Sequence, residues 1–450
     1  MDEGMLIRAA IIAIASTGLT SCTDDSQEQR CVGDTCMPAT CTNEQQDQLE
    51  TDVDCGGSSC RKCPGVSHCL TDDDCFSGNC AAGTCYALEV SFAAAVAYPS
   101  GYKPYVMLSG DLDGDAVTDL AAANEVGNAV AVFRNAGAGT FATVPAPTDS
   151  GFPTGEYPTG GAIADFNHDG IADIITANYH GNSVSILLGT GTGDAYALTA
   201  CASYPTVAGS ETSNLAVGDL DGDGHLDVIA TNPQTSSASV FRGRADGTLA
   251  PAIQITLGAG QAEPYSVAIA DFDHDGLADA AIADNRNLSI HLLLGNGDGT
   301  FEVAMPRPAI GGAASFIVIA RDVDLDGNID LVVANRSSDD VTVLLGHGDG
   351  AFEPPAISTT GPDTGPYSLA VADFNLDGVP DVVTANYKTS TASVLLGIGD
   401  GRFEAPIDAG PTGTTPYGVA TGDFNGDGKP EFATANAISD DVTVKLSTAQ

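Results

Sequence analysis

"YSVAIADFDHDGLADAAIAD", residues 265–284, sets a nine-residue acidic loop, Asp271 to Asp279, between two short apolar runs. The runs are rich in Val, Ile and Ala and too short for helices, so the loop joins two β-strands. The same loop returns as DLDGDAVTD from 111, DFNHDGIAD from 165, DLDGDGHLD from 219, DVDLDGNID from 322, DFNLDGVPD from 373 and DFNGDGKPE from 423. Successive starts lie 54, 54, 52, 51, 51 and 50 residues apart. So steady a period marks a repeat architecture, in which each unit buries its apolar faces against its neighbours.

Each loop carries oxygen-bearing side chains at positions 1, 3, 5 and 9. They are Asp111, Asp113, Asp115 and Asp119; Asp165, Asn167, Asp169 and Asp173; Asp219, Asp221, Asp223 and Asp227; Asp271, Asp273, Asp275 and Asp279. The later three sets are Asp322, Asp324, Asp326 and Asp330; Asp373, Asn375, Asp377 and Asp381; Asp423, Asn425, Asp427 and Glu431. Calcium takes six to eight hard oxygen ligands, and a tight loop with alternate acids supplies them, position 7 adding a backbone carbonyl. Glycine at position 6 permits the positive φ of such a loop, and only Ala116 departs from it. Magnesium prefers to retain waters and suits this cage less well. An EF-hand is excluded: position 12 holds Ala122, Thr176, Ala230, Ile282, Val333, Thr384 and Thr434, none of them acidic. The sequence therefore predicts up to seven calcium ions, and without metal the clustered carboxylates repel one another.

Within one period the order reads strand, acidic loop, strand, turn, strand, a Gly/Asp hairpin such as "NGDG", and a fourth strand starting near Phe301, Phe352 or Phe403. Four antiparallel strands per period of about 50 residues describe a propeller blade. After the seventh loop only two strands follow, whereas "ALEVSFAAAVAYPSGYKPY" before the first loop has the pattern of a fourth. That strand is expected to complete the last blade and close the ring. The fold class is all-β, a seven-bladed propeller over residues 88–450. The pattern of Pro-Tyr, acidic loop, Asn and "V-x-L-L-G-x-G-D-G-x-F" resembles FG-GAP/VCBS repeats, the blades of the integrin α-subunit propeller and of many bacterial exported proteins. The resemblance implies seven blades with calcium between the first and second strands, and carries no integrin function with it.

Upstream, "MLIRAAIIAIASTGLTSC" places Arg8 before a short apolar run and small residues ending at Cys22. Too short to span a bilayer stably, it reads as an export signal over residues 1–21. "LTSC" resembles the lipobox of bacterial lipoproteins, which makes Cys22 the lipidated residue, followed by a linker over 22–30. Export gives Cys31, Cys36, Cys41, Cys55, Cys60, Cys63, Cys69, Cys75, Cys80 and Cys85 the reading of a disulfide-rich module over 31–86, with pairing left open. Cys201 is expected as a small buried side chain. Against 60 Asp+Glu stand 16 Lys+Arg, a formal charge of -44, which repels nucleic acid. The expected setting is the outer envelope or cell surface, through the lipid anchor, with secretion as the alternative.

One face of the disc should carry the acidic loops and hairpins, the other the second-to-third turns and the connections between blades. Tyr105, Tyr157, Tyr265, Tyr367 and Tyr417, each beside a proline at the start of a first strand, make the second face the candidate binding surface. Recurring Asn124, Asn178, Asn232, Asn285, Asn335, Asn386 and Asn436 read as turn residues. The partner is an extracellular or envelope protein or glycan; Trp is 0, which weakens a sugar-stacking site though Tyr can serve. No nucleophile elbow, zinc-protease or P-loop motif occurs, so the chain reads as a binder, with a lyase-like polysaccharide enzyme or a lectin as the alternatives. His168 and His274 at loop position 4, and His225 at position 7, read as outward-facing surface residues.

Overall fold

A strand covered on both faces has no reason to alternate, and the second strands of the repeats do not: Asp119–Asn124, Asp173–Asn178, Asp227–Asn232, Asp279–Asp284, Asp330–Asn335, Asp381–Asn386 and Glu431–Asn436 are buried at every residue. The computed structural model describes residues 89–448 apart from 200–201 and 259–260, together with the backbone of two short hairpins further upstream. The export signal, Cys22, Cys41, Cys55, Cys60, Cys63, Cys69, Cys75 and Cys201 lie outside the described residues. In the two hairpins the backbone register sets Cys31 opposite Cys36 and Cys80 opposite Cys85.

Residues 89–448 form seven antiparallel blade sheets, with a small two-stranded ladder, Gly189–Thr190 on Ala197–Leu198, beside blade 2. Blade 4 is typical, with strands Pro264–Ala270, Asp279–Asp284, Ser289–Gly295 and Phe301–Val303. Every first strand packs against the first strands of its two neighbours, Pro416–Gly422 of blade 7 against Pro104–Gly110 of blade 1, so the ring closes round an axis. The strands nearest that axis approach so closely that a Cβ on Gly418 would lie 2.6 Å from Met107 N, and one on Gly160 2.7 Å from Asn214 Cα. Neither position has room for any other residue.

The closing strand is Val96–Pro99, which pairs antiparallel with Asp441–Lys445, Val96 opposite Val444 and Pro99 opposite Asp441. Residues 91–93 extend the seam: Thr448 N donates to Ser91 O at 2.9 Å and Ala93 N to Leu446 O at 2.9 Å. Phe92 then packs edge-on against Phe432 and Phe374 at 4.9 and 6.0 Å.

The core consists of seven clusters, one in each gap between blades. Strand periodicity supplies them: Ala281 and Ala283 face blade 5 with Val318, Leu331 and Leu344, while Ala280 and Ile282 face blade 3 with Ile229 and Val240. Two long connections between blades also contribute strands. Phe152–Pro153 stays on the edge of blade 1 with Phe152 in the core, and Ala202–Pro205 is the fourth strand of blade 2.

Candidate functional site

The seven acidic loops share one backbone form. The position 1 carboxylate is wrapped by loop amides: Asp271 Oδ2 accepts Gly276 N at 3.0 Å, and Asp373 accepts Asp377 N at 3.0 Å and Gly378 N at 2.8 Å. Position 6 has φ between +82° and +92° in the six glycine loops, and Ala116 is held at +66° in the first. An L-residue in the left-handed region costs about 1–2 kcal/mol. Ala116→Gly is therefore expected to raise stability by about 1 kcal/mol, read as a higher urea midpoint; an unchanged or lower midpoint would contradict the strain at this position.

The ninth residue does more than its spacing predicted. All seven are fully buried, and each accepts two backbone amides. Asp279 Oδ2 takes Phe272 N at 2.9 Å from its own loop, and Oδ1 takes Gly295 N at 2.7 Å from the end of the third strand. The same clamp holds in the other blades, with Asp330 on Val323 and Gly346, Asp173 on Phe166 and Gly189, and Glu431 on Phe424 and Ser447. Burial pushes the carboxyls of Asp119, Asp173, Asp227, Asp279 and Asp330 up to about 6 and that of Asp381 to about 8, against the pull of these amides.

The loops divide into two kinds by what stands at position 3. In blades 1, 3, 4 and 5 it is Asp, and each loop gathers three carboxylates with ligand atoms within 4.8 Å of one another. In each of these four loops one buried carboxylate oxygen has no hydrogen-bond partner: Asp221 Oδ1, Asp271 Oδ1, Asp322 Oδ1 and Asp113 Oδ2, the last with only an ion pair to Arg134 Nε at 3.6 Å. An orphaned anionic oxygen facing further carboxylates is the environment a cation satisfies, so these acidic clusters could hold a metal ion. In blades 2, 6 and 7 position 3 is Asn, and its amide donates to the position 5 carboxylate: Asn167 to Asp169 at 3.0 Å, Asn375 to Asp377 at 3.1 Å, Asn425 to Asp427 at 3.2 Å. There the loop meets part of its own electrostatic need.

The loops also join blades. The hairpin glycine of one blade donates its N–H to a carbonyl of the preceding blade's loop: Gly139 to Phe424 O at 2.8 Å, Gly193 to Asp113 O at 2.9 Å, Gly299 to Leu220 O at 3.1 Å and Gly350 to Phe272 O at 3.0 Å. Loops and hairpins therefore share one face, as the strand count requires.

On the other face the chain builds an axial ring. Six first strands carry a β-bulge at the residue six before the acidic loop. A bulge re-aims its side chain, here toward the axis. The residues so placed are Tyr105, Thr159, Tyr265, Phe316, Tyr367 and Tyr417, and by spacing Ser213 in blade 3. Tyr367 stacks on Phe316 at 4.7 Å and meets Tyr417 at 4.5 Å, Tyr105 meets Tyr417 at 4.9 Å, and Tyr265 meets Phe316 at 5.0 Å. The hydroxyls of Tyr105 and Tyr367 hydrogen-bond to each other, and burial raises both phenols above their ordinary range. Arg336 lies over Tyr387 at 4.4 Å and Phe316 at 5.3 Å, and donates to Tyr387 Oη at 3.0 Å.

Tyr157 is not part of this ring. It stands eight residues before its loop rather than six and packs on the His180 ring at 4.4 Å. Proline adjacency pointed to Tyr157; distance to the loop points to Thr159 and also finds Phe316. The ring is thus aromatic in blades 1, 4, 5, 6 and 7 and small and polar in blades 2 and 3, where Thr159 Oγ1 donates to Ser213 O at 2.9 Å. A cavity of about 210 Å³ lies on the axis, lined on that side by Thr159, Gly160, Gly161, Ser213 and Asn214. Its walls carry no carboxylate, imidazole or amine.

The recurring asparagines are buried cross-strand ties rather than turn residues. Asn178 Nδ2 donates to Ser185 Oγ at 2.9 Å and Asn386 Nδ2 to Ser393 Oγ at 2.8 Å. In blade 4 the register assigns this place to Asp284, one residue before Asn285, with His291 Nε2 at 2.9 Å as partner.

Comparison with curated proteins returns no match. Among solved structures the chain is similar to virginiamycin B lyase from Staphylococcus aureus at 10% identity and TM-score 0.54, covering 79% of this chain and 99% of that one. It is also similar to a lectin of Agrocybe aegerita described as recognising non-reducing terminal N-acetylglucosamine, at 22% identity and TM-score 0.50, covering 74% and 86%. A putative 6-phosphogluconolactonase from Bacteroides uniformis aligns at 14% identity and TM-score 0.51, covering 77% and 96%. These likenesses show the propeller fold alone. The family model for the FG-GAP-like repeat matches residues 111–176, 165–230, 219–282, 271–333, 322–384 and 373–434. With the acidic loop, the clamp at its ninth residue and the four-stranded blade repeated round the ring, the chain belongs to the FG-GAP-like repeat family.

Proposed function

We propose that the chain is a calcium-stabilised binding module displayed outside the cell, with its ligand site at the axial mouth opposite the acidic loops. One observation carries the reading: the aromatic ring is broken at Thr159 and Ser213, over a cavity of about 210 Å³. Tyrosine faces offer a sugar ring or an aromatic side chain a flat apolar surface, and the Thr159, Ser213 and Asn214 side chains with their backbone offer hydrogen bonds, the mixture that fixes a ligand in a pocket. A glycan or an extracellular protein segment fits that chemistry. A lining without carboxylate or imidazole favours binding over acid–base catalysis.

Calcium belongs to the same proposal as the ion of the acidic loops, since alternate carboxylates with a bent backbone match its hard, oxygen-only coordination. Asp111, Asp113, Asp115, Asp219, Asp221, Asp227, Asp271, Asp273, Asp279, Asp322, Asp324 and Asp330, clustered in blades 1, 3, 4 and 5, are the acids that would hold it there. Anchoring through Cys22 and a stalk built from the cysteine-rich segment would hold the disc away from the envelope, in keeping with its acidic surface.

The test is a glycan array and an envelope-protein pull-down with the calcium-loaded chain, beside Thr159→Tyr and Tyr265→Ala. Tyrosine at 159 is the residue four other blades carry there, so it should fold, fill the gap and weaken binding at least about tenfold. Capture that is unaffected by Thr159→Tyr removes the axial mouth as the site. Turnover of an acidic polysaccharide would replace the binding reading with an enzyme.

A further inference from the structure

On the face of the acidic loops, two imidazoles from neighbouring blades meet. His168, at position 4 of the second loop, points its Nε2 at Nδ1 of His225, at position 7 of the third, 3.4 Å away, with ring centroids 5.5 Å apart. As a direct hydrogen bond this is long, since N–H donors ordinarily lie 2.7–3.2 Å from their acceptors. It matches another arrangement closely: two nitrogens bound to one tetrahedral zinc at 2.0–2.1 Å stand about 3.3 Å apart. The geometry points to a transition-metal site, selective for Zn²⁺ or a similar borderline cation, that bridges blades 2 and 3 through His168 and His225.

Three features support it. Imidazole is a ligand for Zn, Cu, Ni and Co and a poor one for the hard calcium ion, so the site is chemically separate from the carboxylate loops. Asp169 and Asp223 lie within two residues along the chain from the two histidines and make the local field negative. The blade 2–3 junction also differs from its neighbours. Gly247, the hairpin glycine of blade 3, donates its N–H to Arg244 O at 2.9 Å within its own hairpin, whereas four other hairpin glycines donate to the preceding blade's loop. A metal held by one histidine from each blade would supply a tie at that junction. Among the described residues no carboxylate or thiol joins the pair into a three-ligand group, so water completes the coordination.

Blade 4 provides a control from the same chain. His274 occupies the same loop position as His168, but there the side chain crowding Gly348 with it is Asn328 rather than a second histidine. The experiment titrates Co²⁺ into the full calcium-loaded chain in excess Ca²⁺, following the visible bands of tetrahedral cobalt, then displaces it with Zn²⁺. The wild-type chain should bind one Co²⁺ that Zn²⁺ removes. His168→Gln and His225→Gln should each weaken that binding at least about tenfold, as losses around a metal site commonly do. His274→Gln should leave it unchanged. Wild-type protein that gives no tetrahedral spectrum, binding that survives both substitutions, or equal loss in His274→Gln overturns the site. Melting of the variants in calcium without cobalt or zinc should equal that of the wild type, because both histidines are on the surface.

Discussion

Chelating calcium from the folded chain should lower its melting temperature by roughly 10–20 °C. A ligand at a hundredfold excess over its Kd stabilises a fold by about 2.7 kcal/mol per site. Four all-aspartate loops then contribute about 11 kcal/mol. An unfolding entropy of about 2.1 cal/mol/K per residue converts that into a shift of this size for a propeller of some 350 residues. The loops with orphaned oxygens, in blades 1, 3, 4 and 5, should fill first and account for most of the shift. Those with an Asn at position 3 have one charge fewer and an internal amide bond, and should bind more weakly. Calorimetry with and without chelator checks the first statement and elemental analysis across a calcium series the second; an unchanged melt would remove the metal from the account. The pH dependence follows from the buried ninth-position acids. Burial places the carboxyls of Asp119, Asp173, Asp227, Asp279 and Asp330 at about 6 and that of Asp381 at about 8, and raises that of Glu431, all above their ordinary values near 4 in the unfolded chain. A raised carboxyl stabilises fully below its unfolded value, and that contribution is lost as pH climbs through the folded one. In chelator, stability should therefore fall between about pH 4 and 8, and bound calcium should flatten the slope.

The second large effect concerns ring closure. Deleting residues 89–99 removes the strand Val96–Pro99, its hydrogen bonds to Asp441–Lys445, and the packing of Phe92 on Phe432 and of Tyr98 on Phe141. Phe92 and Tyr98 are partly buried, so each costs less than the 3–5 kcal/mol typical of a fully buried aromatic, but both are lost here together with a seam, and the unfolding free energy from urea should fall by at least about 3 kcal/mol. The truncation also bares Asp441–Lys445 as an unpaired edge, which invites association. Light scattering should show oligomers where the longer chain is monodisperse. A truncated chain that stays dispersed and melts within a few degrees of its parent would show that blade 7 stands without its fourth strand.

Most of the ring could be read from residues alone because its information is local. The acidic loops fall on a fixed period, the hairpins carry their own Gly/Asp signature, and counting strands leaves a spare one before the first loop and a blade short of one after the seventh, which meet as Val96–Pro99 on Asp441–Lys445. What escaped the reading depends on register across strands. Proline adjacency singles out Tyr157, yet the bulge that turns a side chain to the axis sits six residues before the loop, at Thr159. The same count reaches Phe316, which has no proline beside it. Residue type points to Asn285, whereas the buried tie in that blade is Asp284, made legible only by His291 across the strand pair. Spacing presents the ninth acid as a metal ligand, and its grip on Gly295 or Gly346 at the far end of the third strand has no trace in the sequence of the loop.

The closing strand has a mechanical consequence. Among the described residues, those upstream of 96 are held to the disc by the short seam at 91–93 and the packing of Phe92, and they lead into it through Val96–Pro99. Tension applied at residue 89 against a ligand held at the axial mouth passes through this seam and that one outermost strand. The joint can part while the other six blades keep all their strands, so load would open the circle at a single place, where the same strand can settle back once tension is released.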